Sequence, residues 1–139
     1  MKIIIYEEKY QDQLVKLWQA CGLTVSWNDP VKDIQRKLAK DPELFLIGLI
    51  NDIVVASVMG GYEGHRGWIN YLAVSPKLQK SGYGRQLMEV VEKKIAEQGA
   101  PKINLQIRTS NVDVIAFYKA IGYKQDNVVG MGKRLVSDE

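Results

Sequence analysis

The feature that most constrains this chain is the junction at residues 71–85, where an apolar strand runs through a short loop into a long helix. It reads Tyr71-Leu72-Ala73-Val74, then Ser75-Pro76-Lys77-Leu78-Gln79-Lys80-Ser81, then Gly82-Tyr83-Gly84-Arg85. Leu87, Val91 and Ile95 continue the helical pattern at the spacing of one buried face, and Gly99 closes it. Unpaired N–H groups at such a helix start converge on one point, and the helix dipole adds partial positive charge there. The two glycines let the main chain approach an anion closely, and Lys80 and Arg85 bring full charges nearby. A pyrophosphate is the natural guest of such a junction.

The flanking segments predict a sheet with helices interspersed. Lys2 to Tyr6 reads as a strand, and Leu14, Leu17, Trp18 and Cys21 make an amphipathic helix that Gly22 ends. Asp29-Pro30 is a helix start, with Asp29 as cap and Pro30 in the first turn. Val31, Ile34 and Leu38 supply the buried face of that helix before Asp41-Pro42 stops it. Strands over 44–50 and 53–59 flank the hairpin signal Asn51-Asp52, with Gly60-Gly61 breaking the second. Trp68 to Val74 is a strand, Ile103-Leu105-Ile107 alternates as a half-buried one, and Val112 to Ile121 is a short helix. Residues 123–136 predict two more strands around Asn127 or Gly130. The expectation is one domain over residues 1–139, an α/β (or α+β) fold with a mixed sheet of six to seven strands and about four helices.

Composition narrows the partners. A net charge of +3, from 19 basic and 16 acidic residues, is too mild to drive strong nucleic-acid binding. One cysteine, Cys21, and one histidine, His65, argue against a transition-metal site, and Cys21 reads as a buried structural thiol. No stretch approaches the ~20 apolar residues of a membrane span, so the expectation is a cytoplasmic protein without membrane or metal.

Several nucleotide binders share a strand-glycine-helix junction. A phosphate-loop NTPase needs Gly-Lys-Ser/Thr, which is absent, and a dinucleotide fingerprint needs three glycines in a first strand-helix unit. Gln79-Lys80-Ser81-Gly82-Tyr83-Gly84 instead resembles the pyrophosphate signature Gln/Arg-x-x-Gly-x-Gly/Ala of the GNAT superfamily of N-acetyltransferases. Downstream, Asn111, Phe117-Tyr118 and Gly122-Tyr123 resemble a second family segment, with Val114 in place of its usual alanine. Lys80 stands where the family usually has glycine or arginine, and Ser81 where it has a basic residue. The resemblance extends along nearly the whole chain, including Trp27-Asn28-Asp29-Pro30 and the segment from Gly60 to Gly67.

That resemblance implies acetyl-CoA as co-substrate and a mostly antiparallel sheet splayed at the strand that receives it. Main-chain groups of Leu72, Ala73 and Val74 would pair with the pantetheine arm and polarise the acetyl carbonyl, while Gln79, Lys80, Ser81, Gly82, Tyr83, Gly84 and Arg85 hold the pyrophosphate. Asn111 caps its helix and holds the arm as well. Tyr118 is the implied catalytic acid, a phenol that protonates the departing thiolate. The spacing of Tyr118 from Ile115 and Ile121 equally fits a buried aromatic. Glu63, in the loop before the cofactor strand, is the candidate base, with Tyr71 and His65 as weaker choices. Trp27, Asn28, Tyr62, Glu63, Arg66, Trp68 and the Asn127 region are expected around the acceptor. Arg66 is suited to an acceptor carboxylate, and equally to solvent.

The expected reaction is direct acetyl transfer to a primary amine in a ternary complex, on a small molecule or peptide. The alternative is a module that holds acyl-CoA without catalysis, and a packing role for the glycines is a third reading. Monomer and homodimer both stay open.

Overall fold

The computed structural model describes residues 1–139. Five strands form one sheet in the order β1 (Lys2–Ile5), β2 (Phe45–Ile50), β3 (Ile53–Tyr62), β4 (Gly67–Val74), β5 (Ile103–Asn104). The first four are antiparallel neighbours, and β5 pairs parallel to β4. Four helices cover the sheet: α1 (Gln11–Ala20), α2 (Pro30–Lys40), α3 (Tyr83–Glu97) and α4 (Val112–Ala120).

Both faces of the central strands are buried, which is why β2 and β3 read as continuous apolar runs. Phe45, Ile47 and Leu49 join Leu14, Leu17, Trp18 and Ile34 in one core. The alternate residue Leu46 joins Ala56, Val58, Leu87, Met88, Val91 and Ile95 in the other. The period of two thus deals side chains to α1 and α2 on one face and to α3 and α4 on the other. Asn51 and Asp52 both take positive φ, 50° and 63°, the geometry of a tight hairpin whose twist matches its strands. At α2, the Asp29 carboxylate accepts from the N–H groups of Val31 (2.9 Å) and Lys32 (3.2 Å), with Pro30 in the first turn as the sequence predicts. No helix is long and apolar enough to cross a membrane.

Three expectations need correction. Gly60-Gly61 does not break its strand, because β3 runs on to Tyr62. A Cβ at Gly60 would stand 2.6 Å from Val91 Cγ2 and 3.0 Å from Ile95 Cδ1, so the absent side chain lets α3 lie close against the sheet. The strand expected over Ile103–Ile107 keeps only two residues in the ladder. Ile103, Leu105 and Ile107 still pack against the second core, but β4 moves away beyond Trp68 and leaves the rest of the segment without a backbone partner. Finally, residues 123–136 form no strand, so the sheet has five strands and not six or seven. Val128, Val129 and Met131 are 78%, 86% and 90% exposed, so no apolar face holds this segment to the sheet. Polar ties hold it instead: Lys102 to Asp126, Arg134 to Asn28 and Arg36 to Asp138.

The close approach at Gly60 predicts that Gly60→Ala lowers stability by about 1–3 kcal/mol in urea unfolding, from overpacking against Val91 and Ile95. Gly132→Ala, at a position with no heavy atom within 4 Å, should change it by less than about 0.5 kcal/mol.

Candidate active site

The site is built around an irregularity in β4. Ser57 pairs with Ala73 and Met59 with Asn70, so one residue of β3 faces two of β4, Tyr71 and Leu72. This is a β-bulge, and Tyr71 carries it at φ 52°, an uncommon conformation for a residue with a side chain. A buried polar relay holds it there. The Trp18 indole N–H donates to Ser57 Oγ (2.9 Å), and the Ser57 hydroxyl donates to the Tyr71 carbonyl (2.8 Å). Trp18 and Ser57 are both fully buried, and the Trp18 ring stacks on that of Tyr71 with centroids 3.9 Å apart. The Tyr71 hydroxyl donates to Asp33 Oδ2 (2.7 Å), which fixes the outer end of the side chain. Burial first, then that hydrogen bond, pushes the Tyr71 phenol well above its ordinary pKa.

Beyond the bulge the sheet opens. The β4–β5 ladder ends at the pair Trp68 and Asn104, so the stretch of β4 from Leu72 to Val74 has no strand partner on that side. The loop that follows is anchored by the Ser75 N–H to the Val55 carbonyl (2.8 Å) and by Gln79 Nε2 to the Val74 carbonyl (3.1 Å). The Cys21 thiol contacts the same Val74 carbonyl at 3.3 Å, a placement its sequence position does not suggest. Burial raises the thiol pKa, consistent with a structural role.

The two glycines of the loop do different jobs. Gly82 caps α3 in the left-handed region at φ 85°, with nothing within 4 Å of the side it leaves bare. No side chain caps this helix, so its first N–H groups face the open loop. Gly84 is buried, and a Cβ there would stand 3.2 Å from the Phe117 ring. Lys80 also adopts positive φ, 65°, which explains why glycine is at home at that position. Lys80, Ser81 and Arg85 are exposed around the helix start. Asn111 caps α4 as expected, its Oδ1 accepting from the Val114 N–H at 3.4 Å.

Tyr118 lies on the α3 side of the sheet, in the core that Leu72, Val74 and Phe117 pack against. Its ring meets Phe117 and Tyr123 edge-on. Burial, and secondarily the charge of Glu92, hold its pKa above the ordinary tyrosine value. The opposite side of β4 faces an open cleft of about 680 Å³ between α2, the α1–α2 loop and the ends of β3 and β4. Asn28, Tyr62, Glu63 and Trp68, from the set expected around an acceptor, line it together with Tyr71. Trp27 stands at its margin with the Arg108 guanidinium over its ring at 5.8 Å. Arg66 and His65 do not reach it; the Arg66 guanidinium turns back to the His65 carbonyl (2.9 Å). Glu63 Oε1 accepts from the N–H groups of His65 and Arg66 and so pins its own loop.

Sequence reasoning missed Asp33, Arg36, Lys37 and Arg108, all of which line the cleft. Three of them sit on the polar face of α2, where spacing alone marks a solvated surface.

Comparison with known proteins decides the family. The profile of the Acetyltransferase (GNAT) family matches residues 7–123. The chain belongs to this family. It is 42% identical over 139 residues to an uncharacterised N-acetyltransferase of Yersinia pestis, covering 100% of this chain and 99% of that one. An acetyltransferase of Sodalis glossinidius is 43% identical over 140 residues, with the same coverage. An aminoglycoside 6'-N-acetyltransferase of Acinetobacter haemolyticus shares the fold of this GNAT chain at a TM-score of 0.76. Its identity is 16%, and the match covers 98% of this chain and all of that one.

The relay at the bulge predicts that Ser57→Ala destabilises the protein by about 1–3 kcal/mol, because it strands the buried Trp18 N–H and the Tyr71 carbonyl together. Denaturant unfolding followed by Trp fluorescence measures this directly.

Proposed function

We propose that this GNAT chain is an N-acetyltransferase that moves an acetyl group from acetyl-CoA to a primary amine by direct attack, with both substrates bound together. The observation that carries the reading is the unpaired stretch of β4, which lies between the uncapped start of α3 and the open cleft. The residues fit acetyl-CoA. An extended pantetheine arm needs a strand edge that no neighbouring strand covers, and Leu72 to Val74 supply it. A pyrophosphate needs convergent N–H groups and a bare glycine, and the α3 start with Gly82 supplies both. When bound, acetyl-CoA contributes a thioester, whose carbonyl is activated towards an amine.

The chain supplies the rest. A main-chain N–H at Leu72 or Ala73, held by the bulge, polarises the carbonyl oxygen as a preorganised donor. Gln79, Lys80, Ser81, Tyr83 and Arg85 surround the phosphates, and Asn111 steadies the arm. An amine with a pKa of about 10.4 must lose a proton before it attacks. Glu63 lines the cleft with one carboxylate oxygen committed to its loop, and we assign the proton to the other, directly or through water. Tyr118 returns a proton to the departing sulfur. The raised pKa suits that duty, because a phenol held neutral is a donor throughout the working range. Cys21 takes no part, since its raised pKa makes it a poor nucleophile.

Two outcomes are expected. Tyr118→Phe should lower kcat by about 10²–10⁴-fold in an assay of coenzyme A release, with acetyl-CoA affinity kept. Unchanged kcat would remove Tyr118 from the chemistry. Glu63→Gln should lower kcat/KM at neutral pH by about 10²-fold. The pH profile follows from the sign of the Tyr118 shift. A folded pKa above the ordinary value keeps the acid form populated, so activity should show no tyrosine-dependent fall below about pH 10. Stopped-assay rates from pH 6 to 10 check this.

A further inference from the structure

At the edge of the cleft, where Arg36 lines it, lies a carboxylate site that the chain itself fills. Arg36 Nη2 donates to Asp138 Oδ1 at 2.7 Å, and Nη1 donates to Oδ2 at 3.1 Å. The Asp29 main-chain N–H adds a third donor to Oδ2 at 3.1 Å. A forked guanidinium and a backbone N–H on one carboxylate are a strong, directional set. The Asp138 side chain is fully covered, whereas the Arg36 side chain remains half exposed to the cleft.

This site is linked to the reaction centre. Arg36 Nη1 also donates to Asp33 Oδ1 at 3.2 Å, and Asp33 Oδ2 accepts from the Tyr71 hydroxyl. The guanidinium is therefore two hydrogen bonds away from the residue that forms the bulge. Besides these contacts of Asp138, the segment that delivers it is tied nearby only where Arg134 donates to Asn28. Leu135 and Val136, just before it, are 86% and 64% exposed, and no strand ladder reaches it.

Charge selects the kind of guest. Arg36, Lys37, Lys40 and Arg108 face the cleft against Asp33, Asp41 and Glu63. Lys37 is already paired with Asp41 at 2.6 Å, and Asp33 with Tyr71 and Arg36. A polycationic acceptor would meet Lys40 and Arg108 there, with Asp33 and Asp41 already engaged. A guest that carries a carboxylate replaces Asp138 charge for charge and leaves Arg36 paired.

We infer that Arg36 and the Asp29 N–H are the binding site for a carboxylate on the acceptor, and that the acceptor is a small amine bearing such a group, of amino-acid type. Asp138 is the resting occupant that this carboxylate displaces. The inference rests on the N-acetyltransferase reading and narrows its substrate class.

The test pairs amino acids with their own carboxamides as acceptors. The acid of each pair should exceed the amide in kcat/KM by about 10–100-fold, the worth of a charge-assisted hydrogen-bond set. Arg36→Ala should bring that ratio close to one. Arg36→Lys, which keeps the charge but not the fork, should lose most of it as well and guards against a folding artefact. Asp138→Asn should lower KM for the acids relative to the amides. A ratio near one in the native chain, or one indifferent to both positions, overturns the inference and makes Asp138 a plain anchor of the tail. Preference for polyamines or aminoglycosides overturns it too, while leaving the acetyltransferase reading intact. Calorimetric titration with the same acids and amides, in the presence of coenzyme A, reads the site without turnover. Tighter binding of the acids to Asp138→Asn supports it even where no amine is acetylated, and equal binding of acids and amides sinks it.

Discussion

A strand cannot give the same main-chain groups to a neighbouring strand and to a ligand. Everything distinctive in this fold follows from how β4 meets that constraint. It pairs with β3 along one edge and gives up most of its other edge after two residues of contact with β5. The bulge at Tyr71 makes the change of direction, and an indole, a serine hydroxyl and a carbonyl lock it in the dry interior. The relay is expensive to break because removing the Ser57 hydroxyl leaves both the buried Trp18 N–H and the Tyr71 carbonyl without their side-chain partner.

The two cores then divide the labour. One presses α1 and α2 against the sheet and shapes the polar cleft; the other seats α3 and α4, with Leu72 and Val74 packed against it. Tyr118 and Glu63 lie on different sides of β4, one in the α3 core and one on the cleft. That separation suits a reaction with a donor entering from one side and an acceptor from the other. It also explains the contrast in their surroundings: the phenol is buried and stays neutral, while the carboxylate is exposed on a loop.

Local chemistry was legible in the sequence; long-range pairing was not. Asp29-Pro30 announces its helix because cap and first turn are adjacent, and Asn51-Asp52 announces its turn for the same reason. Gly82-Tyr83-Gly84 marks the start of α3 in the same local way. Nothing near Tyr71 marks it for positive φ, since its constraint comes from Trp18 and Ser57, themselves 39 residues apart. Gly60 was misread because a glycine in a strand pattern signals a break or a close approach equally, and only the position of α3 decides. Nothing in the local sequence singles out Arg36, because its partner lies 102 residues away. The terminal strands failed for a related reason: Val128, Val129 and Met131 are apolar enough to suggest pairing, yet no surface here receives them.

Gly84 and Phe117 meet so closely that a methyl group on Gly84 would stand 3.2 Å from the ring, which would have to give by a few tenths of an ångström. Gly84 belongs to the helix start proposed to grip the phosphates, and Phe117 adjoins the tyrosine proposed to attend the sulfur. Under that reading one contact links the two ends of the donor's site, and the span between them is set where the two helices touch. A methyl group added there would press on the Phe117 ring, and under the proposed reading that pressure would be felt at the tyrosine next to it, at the far end of the donor from the phosphates.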